Sequence, residues 1–67
     1  MRSNYSANFI TALVAFLNNS AATAPARIAG IKMTLTAINN VTADLIKEGQ
    51  IGERETASGD IYWVATR

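Results

Sequence analysis

The sequence predicts an α+β, mainly α fold: three helices followed by a two- or three-stranded antiparallel hairpin. Three observations predict it. Residues 34–48 carry apolar groups at Leu35, Ile38, Val41 and Leu45, and steps of three and four residues place these on one helical face. Thr34 ahead of the run can cap a helix start, and Gly49 behind it can end one. Residues 50–55 and 61–66 then read as strands, joined by a segment containing Ser58-Gly59, with Ile61, Tyr62, Trp63 and Val64 as strong strand formers.

Size and composition bound the rest. At 67 residues there is room for one domain, spanning 1–67, and a chain this short buries only about 60% of its unfolded surface. Hydrophobic residues make up 49% of the chain, enough for one small core. Cysteine and histidine are both absent. That removes disulfides, thiolate metal sites, the commonest zinc ligand and the commonest general base. No nucleophile has an activating base, no glycine-rich phosphate loop appears, and Asp44 with Glu48 reads as two solvated carboxylates. The expectation is a non-enzyme without metal or cofactor. Lack of staples also points to a reducing, cytoplasmic compartment.

Residues 4–18 form the first expected helix, with Tyr5, Phe9, Leu13, Phe16 and Leu17 on one face and Ser3 or Ser6 as its cap. Ile10 and Val14 widen the apolar arc to about half the circumference. This extra stripe either packs on the wing strands or pairs two copies of the chain, and the homodimer is the favoured use. Arg2, the apolar run 9–17 and Ala22-Thr23-Ala24 imitate a secretory signal peptide. Cleavage there would leave about forty residues without disulfides, so a first domain helix is the better account. The run is too short to span a bilayer.

Asn18, Asn19 and Ser20 end that helix. Thr23 then reads as an N-cap with Pro25 in the first turn, so residues 24–30 form a short second helix, Ile28 and Ala29 inward and Gly30 closing it. Ile31, Lys32 and Met33 make the turn into the third helix. A minimal strand at 21–23 would supply the third strand of the wing. Two helices joined through about three residues with a glycine nearby fit a helix-turn-helix unit. With the hairpin behind it, the predicted architecture is a winged helix-turn-helix.

On a helical wheel the third helix divides, with Leu35, Ile38, Val41, Thr42, Leu45 and Ile46 on one arc and Thr36, Asn39, Asn40, Ala43 and Lys47 on the other. In a helix-turn-helix the second helix of the unit enters the major groove with its N-terminal half against base edges. Asn pairs with adenine N6 and N7, while Thr donates, accepts or touches a thymine methyl. Ala43 adds an apolar contact, and Lys47 reaches a phosphate. A merely soluble face would favour stronger helix formers than Asn and Thr. Arg27, Lys32 and Arg54 are expected on the phosphate backbone. Glu53, Glu55 and Asp60 around Arg54 oppose that role, and the net charge of +1 is low for a DNA binder. Tyr62 and Trp63 read as anchors of the sheet against the helices.

The order of elements resembles winged-helix transcription regulators, and in particular the small fimbrial-operon regulators of the PapI and FaeA type. The matching residues are Phe16-Leu17-Asn18 ending the first helix and Thr23-Ala24 with Ile28-Ala29 in the second. Thr34 opens the third, Lys47-Glu48-Gly49-Gln50-Ile51 ends it, and Ile61-Tyr62-Trp63 lies in the last strand. The likeness spans residues 10–65. It implies sequence-specific binding of double-stranded DNA that modulates transcription, often alongside a second regulatory protein. The family's third-helix surface is more basic and aromatic than Thr36, Asn39 and Asn40, so its target sequence does not carry over. A different expectation is a winged-helix protein-interaction module, such as a phage-encoded inhibitor or adaptor of a host protein, favoured by the low charge and the acidic wing.

Overall fold

Hydroxyl caps start both helices of the described residues, and the chain between them sets the architecture. A computed structural model describes residues 5–19 and 25–66. In chain order these form α1 (Ala7–Asn19), β1 (Ala26–Ile28), β2 (Ile31–Met33), α2 (Leu35–Lys47), β3 (Ile51–Glu55) and β4 (Ile61–Ala65). The described residues therefore make an α+β arrangement of two helices and two separate two-stranded antiparallel sheets.

The Ser6 hydroxyl accepts the Phe9 N–H at 3.0 Å, satisfying one of the donors orphaned at the start of α1. The Tyr5 ring stacks on Phe9 with centroids 5.0 Å apart, which fixes how the chain approaches the helix. Phe9, Ile10 and Leu13 are buried. Ile10, expected on a stripe offered to a second copy, is only 6% exposed and belongs to the protein's own core, with Val14 half-buried against that core. Ile10 of that stripe is therefore covered within the molecule, and Val14 only in part.

The largest departure from expectation lies at 25–33. Where a second helix over 24–30 was predicted, β1 and β2 pair in the register Ala26↔Met33, Arg27↔Lys32 and Ile28↔Ile31. Ala29 and Gly30 make the two-residue turn with φ of 50° and 80°. Two successive positive φ values give a turn whose twist matches the flanking strands. Gly30 takes this conformation freely, whereas Ala29 bears steric strain in it. The hairpin has a physical reason. A helix from Pro25 to Gly30 has fewer than two turns and cannot repay nucleation. Folded about Ala29-Gly30, the same residues bury Ile28 and Met33 and turn Arg27 and Lys32 outward. Ala29, expected inward, is exposed. The helix expected ahead of α2 is thus a β-hairpin, and the third-helix prediction of residues 34–48 is met by the second observed helix. The Thr23 cap and the strand at 21–23 lie outside the described residues.

Thr34 caps α2, its hydroxyl accepting the Ala37 N–H at 3.1 Å. At the other end Gly49 takes a φ of 72°. Its N–H donates to Ile46 O at 3.0 Å and the Gln50 N–H donates to Leu45 O at 2.9 Å, the paired bonds of a Schellman stop. The chain then enters β3, which pairs with β4 from Ile51↔Ala65 to Glu55↔Ile61. Thr56 and Asp60 close the intervening loop, the Thr56 N–H donating to Asp60 O and the Gly59 N–H to Thr56 O. Thr66 ties the end of β4 back to the α2 stop, through its N–H to Gln50 O and its hydroxyl to Gly49 O.

The core is one cluster of Phe9, Ile10, Leu13, Ile28, Met33, Ile38, Val41, Leu45 and Ile51, drawn from both helices and both hairpins. Leu13, Ile28, Ile38 and Leu45 are fully buried, each contributing about 1.5–3 kcal/mol by leaving water. Helix α1 rests on β4 and β1, and α2 on β3. A polar clip adds to the first contact. The Asn18 carboxamide accepts the Trp63 N–H at 2.7 Å and donates to Trp63 O at 2.9 Å, so it pairs with β4 as a single-residue strand would. Trp63 packs half-buried on the core as expected, while Tyr62, expected beside it as an anchor, faces outward. Among the described residues no helix is long and apolar enough to cross a membrane.

Replacing Ala29 by Asn should raise stability by up to about 1 kcal/mol, because Asn tolerates the left-handed conformation of this turn. In a helix the same change would lower it by about 0.5 kcal/mol, so the sign of the shift in urea unfolding decides between the two. Asn18→Ala should lower stability by about 1–2 kcal/mol through its two lost hydrogen bonds, an effect followed by Trp63 fluorescence.

Candidate nucleic-acid interface

Helix α2 turns its sequence into two opposed strips. Ile38, Val41 and Leu45 are buried, while Thr36, Asn39, Asn40, Ala43 and Lys47 are all exposed. At 100° per residue the five exposed positions fall within an arc of about 100°, centred opposite the buried three. Ile46 borders the strip beside Asn39 and Asp44 borders it beside Asn40. Caps at both ends hold the helix over Leu35–Lys47, about 20 Å at 1.5 Å per residue.

The polar groups of this strip contrast with several other amides and hydroxyls of the described residues, although Asn8 and Thr11 on α1 are likewise without a partner there. Asn18 is bonded to Trp63, and Asn19 donates to Ala15 O at 2.8 Å. Thr42 donates to Ile38 O at 2.8 Å, and Gln50 donates to Glu48 Oε1 at 3.0 Å. By contrast, the side chains of Thr36, Asn39 and Asn40 have no hydrogen-bond partner among the described residues. They present donors and acceptors to the outside, projecting from a backbone that is already fixed.

Four cations were expected around this helix, and the structure sorts them into three places. Arg27 and Lys32 sit directly opposite one another across β1 and β2, both exposed, and with Pro25 and Ala26 they line a shallow depression. Lys32 lies two residues before Thr34, so its Cα stands within about 7 Å of the cap of α2. Lys47 occupies the last turn of α2 on the same strip as the amides. Arg54 lies apart on β3, opposite Tyr62, its Nη1 donating to Glu53 O at 3.0 Å.

Strand alternation separates Arg54 from its acidic neighbours. Arg54 and Tyr62 share one face of the β3–β4 hairpin, whereas Glu53 and Glu55 share the other with Trp63 and Ile61. Asp60 is held in the loop, where it accepts the Ser58 hydroxyl at 3.1 Å. The structure thus gathers Thr36, Asn39, Asn40, Ala43 and Lys47 on one surface and Arg27 with Lys32 on another near the helix start. The exposed Tyr62 beside Arg54 was missed in the sequence because the run 61–64 has no alternation of its own. The register against β3 supplies it.

No protein-family model matches the chain, and neither a curated protein nor a solved structure matches it.

Proposed function

We propose that this protein is a small sequence-specific DNA-binding regulator of transcription that places α2 in the major groove of duplex DNA. The observation that carries this reading is the strip of unpartnered Thr36, Asn39 and Asn40 side chains, continuous with Ala43 and Lys47 and opposite the core. A helix of this width enters a major groove about 12 Å across. Asn39 and Asn40 then read adenine edges through paired hydrogen bonds, Thr36 reads either partner of a base pair, and Ala43 meets a thymine methyl. Lys47, Arg27, Lys32 and Arg54 contact phosphates and set the register. In this reading the fold is a reduced winged helix, with β3–β4 as the wing and the β1–β2 hairpin standing where a helix-turn-helix has its first helix.

The net charge of +1 limits the number of phosphates one copy neutralises, and non-specific affinity scales with that number. The regulator therefore works as a dimer or beside a second regulatory protein, in the cytoplasm where the DNA is. Dimer contacts form on a surface other than the Ile10 face.

A second reading, the protein-interaction module, is favoured by one observation. Ile31, Ile46, Ile61 and Tyr62 are large apolar side chains left exposed on a very small protein. Fluorescence anisotropy on genomic fragments at two salt concentrations separates the readings. Salt-sensitive binding at micromolar protein supports the DNA regulator, and its absence supports the module. Asn40→Ala should relax preference at one base pair by about 1–3 kcal/mol. Lys47→Gln should weaken every sequence alike and flatten the salt slope by about 0.9. Equal loss on all sequences for Asn40→Ala would count against α2 as the reading element.

A further inference from the structure

The β1–β2 hairpin holds an arrangement that folding alone does not favour. Arg27 and Lys32 are direct cross-strand partners, and like charges directly opposite one another destabilise a strand pair. In a hairpin closed at Ile28 and Ile31, the next pair lacks mutual backbone hydrogen bonds, so its Cα atoms approach to about 4.5 Å and its side chains lie close. Neither cation has a carboxylate partner among the described residues. The acids nearest in sequence, Asp44 and Glu48, belong to α2 and its stop.

The surroundings shape the pair into a site. Arg27 and Lys32 line one depression together with Pro25 and Ala26. Pro25 contributes a fixed φ and no competing N–H donor. Ile28 and Met33, the inward residues of the same strands, anchor the hairpin in the core. A guanidinium offers a planar fork that matches two phosphate oxygens, while an ammonium supplies a compact charge with freely rotating donors. Placed side by side, the two can hold one tetrahedral anion that neither holds well alone, and the anion relieves their mutual repulsion.

We propose that Arg27 and Lys32 form one phosphate clamp, both side chains closing on a single phosphoryl group. Its source is a duplex backbone phosphate if the DNA-binding reading holds, on which that arm of the proposal rests, and free inorganic phosphate otherwise. One phosphate shared by two cations has a signature that two independent contacts lack. The salt dependence of binding counts phosphates neutralised, with log K falling by about 0.9 per phosphate for each decade of salt. Removing either member of a shared clamp loses the same phosphate, and removing both loses no second one.

The test uses the full chain and its Arg27→Gln, Lys32→Gln and double variants. Both substitutions lie on an exposed strand face, and circular dichroism checks that each variant folds. Anisotropy on a short duplex is followed between about 50 and 200 mM salt, and the proposal expects each single variant and the double alike to flatten the slope by about 0.9. A double variant that flattens it by about 1.8 assigns two separate phosphates and overturns the shared clamp. Wild-type binding with the slope unchanged in every variant also overturns it, while leaving α2 as the DNA-binding element. Where the wild type binds no duplex, the DNA reading falls and the clamp is judged by thermal melting in millimolar inorganic phosphate at constant ionic strength. A rise in Tm for the wild type that is lost in the double variant upholds it, and an equal response in both overturns it.

Discussion

The left-handed pair Ala29–Gly30 reverses the chain, and with that reversal Ile28 and Met33 reach the core while Arg27 and Lys32 turn outward. Without it the residues between the helices have no geometry that hides two apolar side chains in so short a span. The strain at Ala29 is therefore held by burial elsewhere, a balance in which local conformation yields to packing. It also sets what stands in front of α2: a stiff ribbon ending at Met33, one residue before the Thr34 cap, instead of a helix at an angle. The start of α2 is directed by strand pairing, which ties its placement to the Ile28 and Met33 contacts.

Helix α2 is the other organising element, and it is fixed at both ends by local chemistry. The Thr34 hydroxyl at its start and the Gly49 stop at its end leave few orphan backbone groups. Because Ile38, Val41 and Leu45 are buried with Ala37 packed beside them, the opposite side of the helix is open to carry polar groups that contribute nothing to folding. Asn and Thr on such a surface lower helix propensity, and their unpartnered side chains recover none of that loss within the molecule. A presented surface of this kind gains most when a ligand supplies the partners, since ordering of the backbone is already complete.

Much of this was legible in the residues. Thr34, the 35-38-41-45 spacing and Gly49 define α2 by local rules, and strong strand formers around Ser58-Gly59 define the second hairpin. The exposed strip of α2 followed from helical periodicity alone. The first hairpin was not legible by the same means, since Pro25 and Gly30 sit where a short helix would also place them. The overlooked signal is the symmetry of Ala26-Arg27-Ile28 and Ile31-Lys32-Met33 about Ala29-Gly30, apolar, basic, apolar on each side. Helical width does not say what covers Ile10, and contacts with later elements decide that. The Asn18 clip on Trp63 has no sequence signal, as it joins residues 45 positions apart.

The Asn18 clip bears on how copies of this protein can meet. A two-stranded sheet has bare margins on both flanks, and such margins invite neighbouring chains to add on and propagate. At the middle of β4 that invitation is withdrawn, because a carboxamide already fills the Trp63 backbone groups. The far margin, β3, bears Glu53, Arg54 and Glu55 in succession, and charges there discourage stacking. Sheet-to-sheet polymers through β3–β4 are thereby disfavoured.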